Sequence, residues 1–110
     1  MTDTAKKFYQ GQPGTTDTLC YTAPATGATI LTIHACNTTA AEATLTLGVN
    51  CSGTLAVANE ILTAYKIQPN GTYDWTGMMQ LDNSATTGTI RALQGTSGAI
   101  SLIVSGNEIT

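Results

Sequence analysis

Apolar and polar residues alternate with a period of two along much of this chain. In the segments Ala43–Val49 and Ala99–Ser105, every second residue is a Leu, Ile, Val or Ala, and Thr or Ser fills most of the places between. Successive side chains of a strand point to opposite faces, so this period predicts strands with one buried face. Similar runs, bounded by Gly, Pro or Asn, are Lys6–Gln10, Thr18–Thr22, Ala28–Asn37 and Thr89–Leu93.

The stretch Leu55–Gln68 fits two periods. Apolar residues at positions 55, 58, 62 and 65 suit one face of a helix, while Ile61, Thr63, Tyr65 and Ile67 alternate as in a strand. The turn signal Gln68-Pro69-Asn70-Gly71 follows directly, and a further alternating run begins at Tyr73. Two runs that flank a tight turn predict a hairpin. We therefore expect a helical turn near Leu55–Asn59 and then a strand.

Turn signals every ~8–12 residues and the lack of any βαβ pattern define the fold class. They predict an all-β protein: an antiparallel β-sandwich of about eight short strands, for which the jelly roll is one arrangement. Residues 1–10 are expected to form an N-terminal arm or edge strand, and residues 11–110 a single sandwich domain. The alternation assigns Ile33, Leu45, Leu47, Ile100 and Leu102 to the core.

Composition changes this picture mainly at the surface. Charged residues make up 10% of the 110 residues, against roughly 25% in ordinary soluble domains. Threonine, which suits the exposed side of a pleated sheet, accounts for about one residue in five. Such a surface repels neighbours weakly and suits close packing. The net charge of −3 and only four Lys and Arg residues exclude a phosphate-binding surface, so we expect no nucleic-acid partner.

The lack of a recognisable targeting signal and the odd number of cysteines point to the cytoplasm as the place of synthesis. Residues 1–7 are polar, and no apolar run reaches the ~18 residues of a membrane span. An odd set of three cysteines, Cys20, Cys36 and Cys51, cannot pair completely within one chain. If residues 30–36 and 43–49 form a hairpin, Cys36 and Cys51 lie at opposite ends of it. We expect three free thiols and no bound zinc.

Catalytic and metal-binding patterns are absent from the sequence. His34 has no nucleophile or acid beside it in a known motif, and the Cys₃His set that it completes with the cysteines has no common zinc spacing. The seven acidic residues are scattered rather than paired. The densest aromatic spot is Tyr73 with Trp75. Two alternatives stay open there: Trp75 fills the core, or the pair is exposed and binds a sugar or a protein.

Three motifs carry a resemblance that covers most of the chain. They are Phe8-Tyr9-Gln10-Gly11-Gln12-Pro13-Gly14, Leu19-Cys20-Tyr21-Thr22-Ala23-Pro24 and Ala35-Cys36-Asn37-Thr38-Thr39, and the chain ends in Ser105-Gly106-Asn107-Glu108-Ile109-Thr110. This pattern resembles small virion proteins of tailed bacteriophages. The chain departs from it at His34 and Ala35, where larger aliphatic residues are usual, and in the Thr- and Asn-rich segment Leu81–Gly88.

The resemblance implies a non-enzymatic structural protein of the virion, assembled in the host cytoplasm. Within that group it favours a head decoration (cement) protein that binds the major capsid protein and forms a homotrimer. The alternative is a tail or fibre component that acts as a receptor- or carbohydrate-binding module. No catalytic residue, cofactor, metal or membrane is expected in either case. The expected interface residues are Lys6, Lys7, Phe8, Tyr9 and Tyr73. The N-terminal arm is expected to bind the head, so that deletion of residues 1–10 abolishes attachment and leaves the sandwich largely intact.

Overall fold

The structure is a computed structural model that describes residues 3–84 and 87–109. Strands dominate these residues, because the Thr-, Val- and Ile-rich alternating runs suit a pleated surface with one buried side. The strands are β1 (Asp3–Gly11), β2 (Thr18–Thr22), β3 (Ala28–Asn37), β4 (Ala43–Val49), β5 (Glu60–Ile67), β6 (Thr72–Leu81), β7 (Thr89–Gln94) and β8 (Ile100–Ile109), and a 3-10 turn, η1, spans Val57–Asn59.

The strands form two four-stranded sheets that pack face to face. The first sheet has the order β1-β8-β3-β6 and the second the order β2-β7-β4-β5, and every pairing is antiparallel. Each connection crosses from one sheet to the other, except the one between β4 and β5. This is the eight-stranded jelly-roll arrangement. The predicted all-β antiparallel sandwich is confirmed, as is the expected helical turn near residues 55–59.

The predicted hairpin across Gln68–Gly71 is wrong. The turn itself forms, with the Gly71 amide donating to the Gln68 carbonyl at 2.8 Å. However, β5 pairs with β4 in the second sheet, while β6 pairs with β3 in the first. The turn is anchored instead to the end of β3, where the Asn37 amide donates to the Gly71 carbonyl at 2.9 Å, and to the following connection, where the Asn70 amide donates to the Thr39 carbonyl at 3.1 Å. β3 and β4 also lie in different sheets, so the hairpin assumed for the cysteine argument does not exist.

The facing expected for β5 is also wrong. Leu62 and Ile67 are the buried residues of this strand, whereas Ile61 and Tyr65 are 36% and 45% exposed. The pairing with β4 skips residues at two places in β5, and Ala64 adopts a φ of 44°. Each β-bulge inserts an extra residue and reverses the faces beyond it. The local alternation of residues 61, 63, 65 and 67 therefore does not persist in the sheet.

The core lies between the two sheets and contains all five residues that the alternation assigned to it. Ile33, Leu45, Leu47, Ile100 and Leu102 are each at most 1% exposed. Several of the remaining core positions are small alanines, including Ala28, Ala35, Ala92 and Ala99. Small residues allow the sheets to approach closely, so the large aliphatic side chains supply most of the buried area.

Truncation of one large core residue should be costly. We expect Leu47→Ala and Leu102→Ala each to lower the free energy of unfolding by about 3 kcal/mol, because both leave a cavity between the sheets. Urea denaturation followed by circular dichroism measures the change. Leu19→Ala is the matched control, since Leu19 is 49% exposed and should cost far less. Wild-type midpoints for both core variants would contradict the assigned core.

The N-terminal segment forms an edge strand that belongs to the sandwich. β1 pairs with β8 from Asp3 to Gly11, with one bulge at Phe8. The Phe8 ring is 7% exposed and stacks on Tyr21 of the opposite sheet, with 4.3 Å between ring centroids. Deletion of residues 1–10 would remove a strand and a core aromatic residue. The expectation that this segment can be removed without disturbing the sandwich is therefore corrected; Met1 and Thr2 lie outside the described residues.

Candidate functional site

The edge strands define two sides of the sandwich on which a partner could bind. β1 and β6 are the edges of the first sheet, and β2 and β5 are the edges of the second. The stacked rings of Phe8 and Tyr21 join β1 to β2, and the rings of Tyr65 and Tyr73 join β5 to β6. We call these the β1–β2 side and the β5–β6 side. Four of the five predicted interface residues lie on the first, and Tyr73 lies on the second.

A polar cluster closes the β1–β2 side. The Tyr21 hydroxyl donates a hydrogen bond to the Glu108 carboxylate, and the Lys6 ammonium lies 3.2 Å from the same oxygen. Lys6 also lies 6.0 Å from the centroid of the Tyr21 ring. The hydrogen bond from Tyr21 holds the pKa of Glu108 below its ordinary value, and burial together with this bond raises the pKa of Tyr21. The cluster ties β1 and β8 to β2.

This cluster predicts an acid-dependent stability. Tyr21→Phe removes the donor to Glu108 and should cost about 1.5 kcal/mol at neutral pH, the lower end of the range for a hydrogen bond to a charged group. The lowered pKa of Glu108 means that its contribution is present above the ordinary value of 4.5 and is lost as the pH falls through the lowered pKa. The wild-type and Tyr21→Phe unfolding curves should therefore converge in acid. A constant difference from pH 7 to pH 3 would contradict this prediction.

The predicted interface residues of β1 differ in what they can contact. Phe8 is buried in the core and offers no surface to a partner. Tyr9 is half-buried against the core, and this burial raises the pKa of its hydroxyl. Lys6 is engaged with Glu108, whereas Lys7 is exposed and donates to the side-chain oxygen of Gln10. Both lysines are exposed, and Lys7 differs from Lys6 in having no charged partner among residues 3–84 and 87–109.

An aromatic and apolar rim lines the β5–β6 side. Tyr65 and Tyr73 meet edge to face, with ring centroids 5.1 Å apart and an interplanar angle of 64°. Trp75 packs partly against the core, and its ring lies so close to Gly77 that an added Cβ would stand 2.9 Å away. Tyr73 and Trp75 are thus half-buried. One part of each ring packs against the core, and the other part is open to a sugar or a protein. Ile61 and Tyr65 complete the rim.

Sequence reasoning missed the most exposed apolar side chains. Met78 and Val57 are each 82% exposed, and Leu19 is 49% exposed. Met78 lies in β6, where the pairing with β3 skips a residue after Thr76. A glycine followed by two methionines inside a strand pattern is a signal for such a bulge. The sequence Gly77-Met78-Met79 has this signal. It predicts that one of the two methionines lies at a bulge and does not follow the alternation of buried and exposed residues.

The four potential zinc ligands, His34 and the three cysteines, do not converge. His34 and Cys36 lie on the outer face of the first sheet, where the His34 ring bonds to Asp74 of β6 and this bond lowers the pKa of Asp74. Cys20 lies on β2 and Cys51 follows β4, both in the second sheet. All three thiols are free, and burial raises the pKa of Cys20 to about 12 and also raises that of Cys51. Among residues 3–84 and 87–109, no three potential ligands could hold a metal ion.

Many of the buried polar side chains hold loops in place. Asn37 is fully buried and bonds to the carbonyls of Ala41 and Ile67 through its amide nitrogen, at 2.8 and 3.0 Å. In the loop before β2, the exposed Asp17 accepts from the Leu55 amide at 2.9 Å and from Arg91 of β7 at 3.1 Å. These contacts fasten the segment before η1 over the outer face of β4. The polar groups described here therefore serve the fold rather than an open cleft.

The class that this geometry defines is an eight-stranded jelly-roll domain with an apolar rim along one side. Comparison of the chain with protein-family models, curated proteins and solved structures finds no match. In the part of the chain that the structure describes, no helix is long and apolar enough to cross a membrane.

Proposed function

We propose that the protein is a non-enzymatic structural protein of a tailed-phage virion, namely a head decoration protein. In this role it binds the major capsid protein, stabilises the assembled head and forms a homotrimer. The resemblance of its three motifs and its ending to small virion proteins supports the proposal. The structural observation that carries it is the apolar rim of the β5–β6 side, where Ile61 and Tyr65 are exposed.

The physical demands of such a role agree with this surface. A decoration protein needs contact area rather than a reactive cleft, and many weakly bound copies add up through multivalency. Aromatic and methionine side chains are enriched at protein interfaces, while Lys, Glu and Asp are depleted there. The rim has this character. Jelly rolls occur in viral capsids and also in lectins, so the fold alone does not distinguish the role.

The second candidate is a tail or fibre component that binds carbohydrate. The Tyr65–Tyr73 pair favours it, because an exposed aromatic face can stack on a sugar ring. A groove of about 260 Å³ adjoins this pair and is lined by Tyr65, Lys66, Gln68, Gly71 and Thr72. The lysine, the glutamine and the threonine could supply hydrogen bonds to hydroxyl groups.

Co-sedimentation distinguishes the two candidates. Heads assembled from the major capsid protein encoded in the same genome, but without this chain, are mixed with the purified protein and pelleted. We expect saturable binding to heads and none to purified tails. Binding to tails together with binding to a glycan array would support the second candidate instead. Failure to bind heads, tails and glycans would overturn both.

The rim can be tested in the same assay. Tyr65→Ala with Ile61→Ser should weaken head binding at least 10-fold, because both side chains are exposed and lie along one edge strand. Leu19→Ser is the matched control, since Leu19 is equally exposed but lies on the opposite side of the sandwich. If Leu19→Ser weakens binding as much as the rim variant, the contact does not involve the β5–β6 side.

A further inference from the structure

Three bulges cross the first sheet at one level. Lys7, Ser105, Thr32 and Thr76 form one row of paired residues from β1 to β6. The pairing skips Phe8 of β1, Leu31 of β3 and the Gly77–Met78 position of β6, all directly beside this row. Bulges bend a strand and redirect its side chains. The row therefore marks a common bend of the sheet that reaches both of its edges.

At the β1 edge, this bend leaves a groove on the outer face of the sheet. The groove has a volume of about 420 Å³, is open to solvent and has a mainly apolar lining. It is lined by Ala5, Lys7, Leu31, Thr32, Ser105 and Gly106, among others. A groove of this size accommodates a long aliphatic side chain.

At the β6 edge, the same bend produces a protruding side chain. Met78 stands at the β6 bulge and is 82% exposed. Because the row joins Thr76 to Lys7 across the sheet, Met78 and the groove lie at the same height along the strands. A flexible, unbranched methionine adapts well to an irregular apolar groove. The two edges of the first sheet are therefore complementary in shape.

The strand directions allow these two edges to meet. Three antiparallel pairings separate β1 from β6, so the two strands run in opposite directions. A second copy in the same orientation would continue the sheet as an antiparallel pair of β6 with β1. Within the described residues, nothing pairs with the outer edge of either strand. A ten-residue edge such as β6, whose one charged residue is Asp74, lacks the lysines that usually protect an edge.

Charge favours this head-to-tail contact over a symmetric one. Lys7 and Asp74 both lie on the outer face, and with the rows aligned, Lys7 of one copy lies diagonally opposite Asp74 of the next. Diagonal neighbours on a sheet are within reach of long side chains. Pairing β1 with β1 would bring lysines together, and pairing β6 with β6 would leave the groove empty.

We infer that a second copy of this chain docks head to tail, with β6 of one copy along β1 of the next and Met78 seated in the groove. The contact is heterologous, so it closes into a ring when the rotation between copies allows it. The inference rests on the self-association included in the proposed function and names the surface that makes it. It requires no contact with the head.

Sedimentation velocity of the purified full chain over a range of concentrations tests the contact. The wild type should sediment as a trimer, and Met78→Glu should weaken self-association at least 10-fold. Val57→Glu is the matched control, because Val57 is also 82% exposed but lies in η1, away from both edges of the first sheet. Circular dichroism establishes that each variant is folded. A monomeric wild type, or Met78→Glu that assembles like the wild type, would overturn the inference.

A charge exchange gives an independent readout. Lys7→Glu and Asp74→Lys should each weaken association, and the double variant should recover the part of the loss that is due to their pairing, because Lys7 and Asp74 meet only between copies. The bond of Asp74 to His34 within a copy is lost in both Asp74 variants and does not contribute to the recovery. Lack of recovery would contradict the aligned register. Head binding separates this inference from the proposed function. A trimer that does not bind heads would support the head-to-tail contact and contradict the decoration role. A wild-type monomer that binds heads would support the decoration role and contradict the head-to-tail contact.

Discussion

Replacement of Gln94 by leucine should lower the free energy of unfolding by about 4 kcal/mol, more than the loss of a single core leucine. Gln94 ends β7 and is fully buried. Its amide nitrogen donates to the carbonyl of Pro13, and its side-chain oxygen accepts from the amides of Ala99 and Ile100, at 3.2 and 2.7 Å. One side chain thus joins the loop before β2 to the start of β8.

The cost arises because leucine matches the size of glutamine but removes the bonds to two buried backbone groups, the Pro13 carbonyl and the Ile100 amide, while the Ala99 amide keeps its bond to the Thr96 carbonyl at 3.3 Å. Each unsatisfied buried group costs about 1–3 kcal/mol. Urea denaturation, followed spectroscopically at several wavelengths, measures the loss of free energy of unfolding. Gln80→Leu is the control, because Gln80 also lies on a strand but its side chain is exposed. Similar unfolding midpoints for both variants would show that the Gln94 bonds contribute little.

Gly106→Ala should destabilise the protein by about 4 kcal/mol or more, enough to unfold a domain of ordinary stability. A Cβ at this position would stand 1.9 Å from the carbonyl oxygen of Thr29 and 2.9 Å from the Phe8 ring. The first contact is with backbone of the neighbouring strand, which a change of rotamer cannot relieve. β8 would have to move away from β3, and both pairings of the central strand would suffer.

Soluble yield and thermal unfolding of Gly106→Ala provide the measurement. Ser105→Ala on the same strand is the control, because its neighbours already accommodate a Cβ. We expect the control to melt within a few degrees of the wild type. A Gly106→Ala protein with a wild-type melting temperature would mean that β3 and β8 can separate at little cost, and that the bend in the first sheet is not rigid.

The candidate site could be predicted only in part from the sequence. Tyr73 and Trp75 stand out in the sequence as a pair of nearby aromatic residues, and the structure places both on the β5–β6 rim. Tyr65 joins them only because the chain crosses to the other sheet after β5, which places the edge strands β5 and β6 side by side. The prediction that Phe8 is an interface residue is wrong. In the sequence alone, an apolar residue near a polar terminus fits an exposed position as well as a buried one, and only the contact with Tyr21 shows that Phe8 is buried.

The sequence by itself determined where the strands lie. The bounds 18–22, 28–37 and 43–49 follow from a period of two and from the turn residues between runs, which are local properties of the chain. Only the tertiary structure decided which sheet each strand joins. Any two amphipathic strands can pair, so the choice depends on contacts between distant residues, such as the buried amides of Asn37 and Gln94 that fasten loops to strands. The bulges that create the groove and expose Met78 are decided at the same level, because they appear only when neighbouring strands are in register.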